Sequence, residues 1–249
     1  MSEALRPGAA RFDRLDLLRA LAIVWMAAFH LCFDLNHFGL WQPRQFFTRD
    51  PFWTTQRTCI VTLFVFCAGL GQAVAMNTVD QAHGWPRFWR RWAQVAVCAL
   101  LVSIGSAFMF PRTWIAFGVL HGMATMLILA RLAWPLGHWL WPLGAIAIAL
   151  PRLWRHPFFD EPWLLWAGLA THKPFTEDYV PVLPWLGVMF IGLAAGRWLL
   201  QHHRTLLAGP VPRVVQPLAA LGRWSLTFYM LHQPVFIGAI MGGRQLGWW

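Results

Sequence analysis

The residue types best suited to chemistry crowd into one otherwise apolar stretch, RALAIVWMAAFHLCFDLNH, from Arg19 to His37. It holds Arg19, His30, Asp34 and His37, and Asp16 lies one turn ahead of it. At about 100° per residue, His30 falls about 20° from Arg19, His37 returns to about 0°, and Asp34 and Asp16 each lie at about 60°. A single helix therefore carries all of them on one stripe, with His30 ~16 Å beyond Arg19 along the axis. A guanidinium matches phosphate geometry. A histidine can act as general base or as nucleophile. An aspartate one turn on can orient that histidine. A single histidine in an apolar helix reads most simply as a packing group with its hydrogen bonds satisfied. Several ionisable groups on one stripe point to a bundle interior or a watered cavity, because hydrocarbon penalises each of them.

Other constellations are sparser. Arg87 and Arg90 stand in RFWRRW at the start of an apolar run, and could bind phosphate or simply mark a cytoplasmic boundary. His121 lies in FGVLHG between Gly118 and Gly122, a spacing that lets another helix come close. It could share a cavity with His30, or be an ordinary core histidine. His232 and Gln233 precede Pro234 in YMLHQP, and Ser225, Tyr229 and His232 share a helix face. Substrate contact and structural hydrogen bonding fit His232 equally. Asp178 and Tyr179 lead into VPVLPW, where they could hold a substrate at the mouth of a helix; Pro181 and Pro184 also read as a rigid turn.

The elements that must position these residues are membrane helices. Hydrophobic residues make up 58% of the 249, charged residues only 12%, against about a quarter in soluble domains. Mean hydropathy is +0.48. The expected fold is all-α, a polytopic membrane helix bundle of about seven spans in one domain, 1–249. The spans run near 16–38, 53–76, 91–110, 113–133, 135–150, 179–201 and 222–243. The apolar stretch 162–170 is too short to span and is expected to lie at the interface or re-enter. Twelve of the 20 Lys/Arg residues, Arg6 and Arg11 among them, fall on one side if the N-terminus is cytoplasmic, which the positive-inside bias favours. The net charge of +10 comes without the aromatic-interleaved basic stripe or helix-turn-helix of a nucleic-acid binder. The four cysteines sit in apolar runs without CxxC spacing and are expected to be free and buried. The histidines lack ligand spacing, so no metal is expected. Motifs of serine hydrolases, zinc peptidases and P-loop proteins are absent from the sequence.

An arginine followed ten residues later by a histidine in the first span is the pattern of the transmembrane acyltransferase superfamily. RLDLLRALAIVWMAAFHLCFDL resembles the branch containing the heparan-α-glucosaminide N-acetyltransferase catalytic domain and its bacterial relatives of unknown substrate. FVFCAGLGQ, FGVLHG, DYVPVLPWLGVMFIGLAAGR and LGRWSLTFYMLHQPV extend the likeness over about residues 12–240. The resemblance implies acetyl or another acyl group taken from acyl-CoA on the cytoplasmic side and passed to an extracytoplasmic glycan or lipid-linked acceptor. The implied setting is the lipid bilayer of a bacterial inner membrane, with a homodimer among the partner expectations. Arg19, Arg87 and Arg90 are the implied holders of the coenzyme A phosphates, and His30 the implied base, with Asp34 orienting it and His121 assisting. The lysosomal relatives place an asparagine at the His30 position and their histidine after the first span, where His37 is the nearest counterpart. His30 and His37 both remain candidates. The rival reading is a small proton-coupled transporter with the stripe as its relay. It would require an inverted repeat, which the sequence does not show.

Overall fold

The structure is a computed structural model that describes residues 12–78 and 81–248. Arg6 and Arg11, counted above toward topology, lie outside the described residues. Among the described residues there are eight α-helices and no strand: α1 (Asp13–His37), α2 (Pro51–Thr78), α3 (Gln81–Met109), α4 (Val119–Leu132), α5 (Leu140–Leu153), α6 (Val182–His202), α7 (Gln216–Arg223) and α8 (Ser225–Gln245). The all-α expectation holds.

The helix ends follow local chemistry. Asp13 and Asp16 occupy the first turn of α1 and His37 the last, each at the end of the helix dipole that favours it. Asp50 accepts from Phe52 N–H at 2.8 Å and so caps the start of α2. Gly118, in an extended conformation, ends an irregular 110–118 segment and starts α4. The span expected to begin near 113 therefore begins at Val119.

The expected count of seven spans is not confirmed. Among the described residues, four helices are long and apolar enough to cross a membrane: α1, α2, α3 and α6. The α4–α5 pair makes a fifth if it is one broken span, bent by 98°. Each half has 14 residues, about 21 Å of helix, which is short of a bilayer core. The bend falls where Pro135 opens a 3₁₀ turn and Gly137 takes φ +57°, a backbone open to glycine. Helix α8 has 21 residues, but His232, Gln233 and Pro234 interrupt its apolar run. The 162–170 stretch forms only a 3₁₀ turn at Leu165–Ala167. All four cysteines are free as expected, but only Cys67 is buried; Cys32 and Cys98 are half-buried and Cys59 is exposed. On α3, Val97, Leu100, Leu101, Ile104 and Phe108 are exposed, an apolar surface that suits hydrocarbon.

The chain groups into two compact units. The first joins residues up to Phe64 with His203 onward, and so contains α1, the start of α2, α7 and α8. Its core is Ile23, Met26 and Ile60, with Trp25, Phe29, Phe64, Leu221, Phe228 and Tyr229 against them. Helix α1 runs parallel to α7 and then α8: Arg223 of α7 meets Asp13 at 3.7 Å, His30 meets His232 of α8, and Arg244 of α8 reaches the Phe38 carbonyl at 3.5 Å. Gly222 sets the spacing of α7 from α1, since a Cβ there would lie 1.8 Å from the Asp16 carbonyl oxygen. The second unit, Val65–His202, packs α2 on α6 and α5 on α6 through glycines. A Cβ at Gly192 would lie 2.5 Å from Phe66 O, and one at Gly187 would lie 2.4 Å from Gly144 O. Backbones that close are what small residues permit in membrane bundles.

Gly222→Ala is expected to cost about 1–3 kcal/mol, the usual range for overpacking, and to lower the melting temperature in detergent. Gly238→Ala in α8 meets nothing within 4 Å and serves as the silent control in the same melting experiment.

Candidate active site

The stripe on α1 divides by depth. At its N-terminal end Arg19 Nη1 pairs with Asp16 Oδ1 at 2.8 Å, within one helix turn and partly exposed. Such a pair adds little stability, and the remaining guanidinium N–H groups stay available to an anion. His30 lies about three turns further on. Its Nδ1 is 2.7 Å from His232 Nε2 on α8. The ring centroids are 5.0 Å apart with planes within 10°. That separation is close to the nitrogen–nitrogen distance plus two ring radii, so the rings meet edge to edge in nearly one plane.

The direction of this hydrogen bond follows from its far end. His232 Nδ1 lies 2.6 Å from the Tyr229 carbonyl oxygen. A carbonyl oxygen only accepts, so His232 Nδ1 carries the proton and donates. In the neutral ring, His232 Nε2 is then the acceptor, and His30 Nδ1 must donate to it. His30 is left with Nε2 as its unprotonated nitrogen. The chain is Nε2 of His30, its Nδ1–H, His232 Nε2, its Nδ1–H and the Tyr229 carbonyl. This is an imidazole whose tautomer is fixed by a second group, itself fixed by the backbone. The His30–His232 hydrogen bond depends on α1 and α8 packing in parallel.

Asp34, one turn past His30, is 3% exposed. It does not take the expected place behind His30, which His232 holds; the Gln233 side-chain amide lies against it instead. His37 is exposed near the end of α1, its ring stacked on Phe33 with centroids 6.2 Å apart. Around this end the following loop is pinned down. Asn36 Oδ1 accepts from Gln45 N–H at 2.6 Å and Asn36 Nδ2 donates to Gln45 O at 3.1 Å. Phe47 stacks on Trp53 at 4.0 Å, and Phe29 meets both edge-on. An apolar groove of about 380 Å³ runs along α7 and α8 past His232, walled by Leu221, Trp224, Phe228 and Leu231.

The remaining candidates lie in the second unit. His121 Nδ1 accepts from Gly118 N–H at 3.4 Å, so Nε2 carries the proton and faces Ser103 Oγ at 3.2 Å. That hydroxyl donates onward to Ile115 O at 2.6 Å. Both nitrogens are occupied, which favours the structural reading. Asp178 Oδ2 accepts from Val119 N–H at 2.7 Å and so caps α4 from outside. Tyr179 donates its hydroxyl to Leu165 O at 2.7 Å. Burial pushes the Tyr179 phenol up to about 12, which keeps that donor protonated. Asp178 and Tyr179 thus anchor the segment before α6. Arg87 and Arg90 are both exposed near the start of α3. Arg131 on α4 has its guanidinium 4.4 Å above the Trp85 ring and 4.8 Å from Phe88.

Apolar helices of spanning length, with ionisable side chains hydrogen-bonded inside one compact unit, define an integral membrane protein. The chain belongs to the family described as heparan-alpha-glucosaminide N-acetyltransferase, catalytic, whose family model matches residues 11–234. By family it is a membrane acetyltransferase, as the resemblance implied. No curated protein and no solved structure matches it.

Sequence reasoning did not pair His30 with His232 and did not single out Asn36 or Gln45. LHQP carried a signal, two polar residues before an intrahelical proline, but nothing in the text links it to a helix some 200 residues away. If His121 is structural, His121→Gln, which can still accept at one end and donate at the other, keeps acetyl transfer within about tenfold of wild type. A loss in the range of about 10²–10⁴, as expected for a general acid–base group, would return His121 to a catalytic role. Steady-state rates with detergent-purified protein decide it.

Proposed function

We infer that the chain moves an acyl group, acetyl in the simplest case, from cytoplasmic acyl-CoA to an extracytoplasmic sugar or glycan acceptor. The observation that carries this reading is the lone basic nitrogen, His30 Nε2, held deep in the first helix by the His232–Tyr229 chain. Family membership supports the acetyl transfer; the donor, the acceptor and the residue roles are our reading.

The acceptor O–H or N–H attacks the thioester carbonyl. A C–O or C–N bond forms, the C–S bond breaks, and His30 Nε2 takes the acceptor proton. It returns that proton to the leaving sulfur, giving the coenzyme A thiol. His232 stabilises the imidazolium through Nδ1–H of His30, much as a carboxylate does in a triad, but without adding a buried charge. The same nitrogen is also placed to carry the acyl group itself in a two-step transfer. Arg19, near the start of α1 with N–H groups to spare, is the phosphate-binding candidate of the first unit. Arg87 and Arg90 are those of the second. Positive-inside bias supports a cytoplasmic N-terminus in a bacterial inner membrane, and the parallel course of α1 and α8 fits both helices running outward from it. The groove along α8 suits an apolar chain, of an acyl donor or of a lipid-linked acceptor.

His30→Ala should reduce acetyl transfer from acetyl-CoA to background, and His232→Asn should lower kcat by about 10²-fold. Both should bind acetyl-CoA about as wild type does in calorimetry, whereas Arg19→Ala weakens binding. Folded wild-type protein that binds no acyl-CoA would sink this reading.

A further inference from the structure

Two buried oxygen atoms next to the histidine pair have no hydrogen-bond partner: Oδ2 of Asp34 and Oε1 of Gln233. Asp34 is 3% exposed. Both atoms belong to the first unit, one helix turn past His30 on α1 and one residue past His232 on α8. The Gln233 amide lies against the Asp34 carboxyl, so the two orphan oxygens sit in one layer. A carboxylate oxygen and an amide oxygen both accept, and neither can satisfy the other. A buried acceptor without a donor carries its desolvation penalty unrelieved, and hydrocarbon offers nothing to relieve it. The other polar groups around this layer are already engaged. His232 is spent on Tyr229 and His30, and Asn36 on Gln45.

We propose that Asp34 and Gln233 form the acceptor-holding subsite, taking two hydrogen-bond donors on carbons flanking the reactive group of a polyol or amino-sugar acceptor. The inference rests on the acyltransferase reading above and assigns specificity to residues which that reading leaves without a task. Asp34 and Gln233 touch the acceptor and not the thioester. They present the acceptor's nucleophile to His30 Nε2 by gripping its neighbours. An acceptor with a nucleophile and no flanking donors would leave both oxygens unsatisfied, which is how a polar site rejects an analogue lacking the matching groups.

The test compares D-glucosamine, which flanks its amine with a hydroxyl on each neighbouring carbon, and cyclohexylamine, which offers the amine alone. Both are used with acetyl-CoA and purified wild type, Asp34→Asn, Gln233→Leu and His30→Ala. Wild type should prefer glucosamine in kcat/KM. Asp34→Asn and Gln233→Leu should each shrink that preference about tenfold or more, chiefly through the KM of glucosamine, while the KM of acetyl-CoA stays put. An equal loss on both amines, or none, overturns the proposal. Binding is read separately, as glucosamine-induced stabilisation against heat. Stabilisation that both variants abolish, without acetyl transfer by wild type, keeps the subsite and sinks the acyltransferase reading. Wild type that neither binds nor acetylates glucosamine overturns the subsite. His30→Ala should lose transfer and keep the stabilisation. Melting temperatures of the unliganded variants identify any that merely fold poorly.

Discussion

A carbonyl oxygen can accept a hydrogen bond and can never donate one, and the candidate site hangs on that asymmetry. Tyr229 O compels His232 Nδ1 to hold a proton. That makes His232 Nε2 an acceptor, and the acceptor compels His30 Nδ1 to donate. The outcome is one defined basic nitrogen without a charged partner behind it. A carboxylate in the same role would have to be buried as an ion, at far greater cost in a membrane interior. Two neutral imidazoles and a backbone dipole achieve the orientation while keeping the layer uncharged.

Such an arrangement demands accurate helix placement, since a hydrogen bond of 2.7 Å between helices tolerates little sliding. Gly222 brings α7 onto the backbone of α1 at Asp16, where Arg223 of α7 also meets Asp13, and contacts at His30 and Phe38 hold α1 parallel to α8. The Asn36–Gln45 clamp and the Phe29–Phe47–Trp53 cluster pin the loop that follows α1. Polar groups on α1 are thereby sorted along its axis. Arg19 sits at one end with Asp16, His30 about three turns deeper, and Asp34 one turn beyond His30.

The second unit shows how the same residue type can be spent differently. His121 lies in a glycine-flanked motif that invites a catalytic reading, yet both its nitrogens are occupied by Gly118 and Ser103. Asp178 and Tyr179, at what looks like the mouth of a helix, serve the α4 N-terminus and the Leu165 carbonyl. In each case the side chain completes backbone hydrogen bonding where helices start or stop, which is the commonest demand on a polar residue in an apolar fold.

The sequence alone determined the membrane class, the all-α fold, the polar stripe of the first helix and the family. Each of these is a local or compositional property: hydropathy over about 20 residues, a rotation of about 100° per residue, and motif order along the chain. Its count of seven spans is not confirmed among the described residues, where hydropathy registers the apolar residues of 113–150 but not the bend that Pro135 and Gly137 impose there. The partner of His30 was decided only in three dimensions. Asp34 is the nearer residue along the chain, four positions away, and His232 is 202 positions away. Helix periodicity ranks neighbours on one helix and is silent about the helix across from it. Which acceptor faces His30 depends on the close approach at Gly222 and on the turn of α8 that aims His232 at its own backbone.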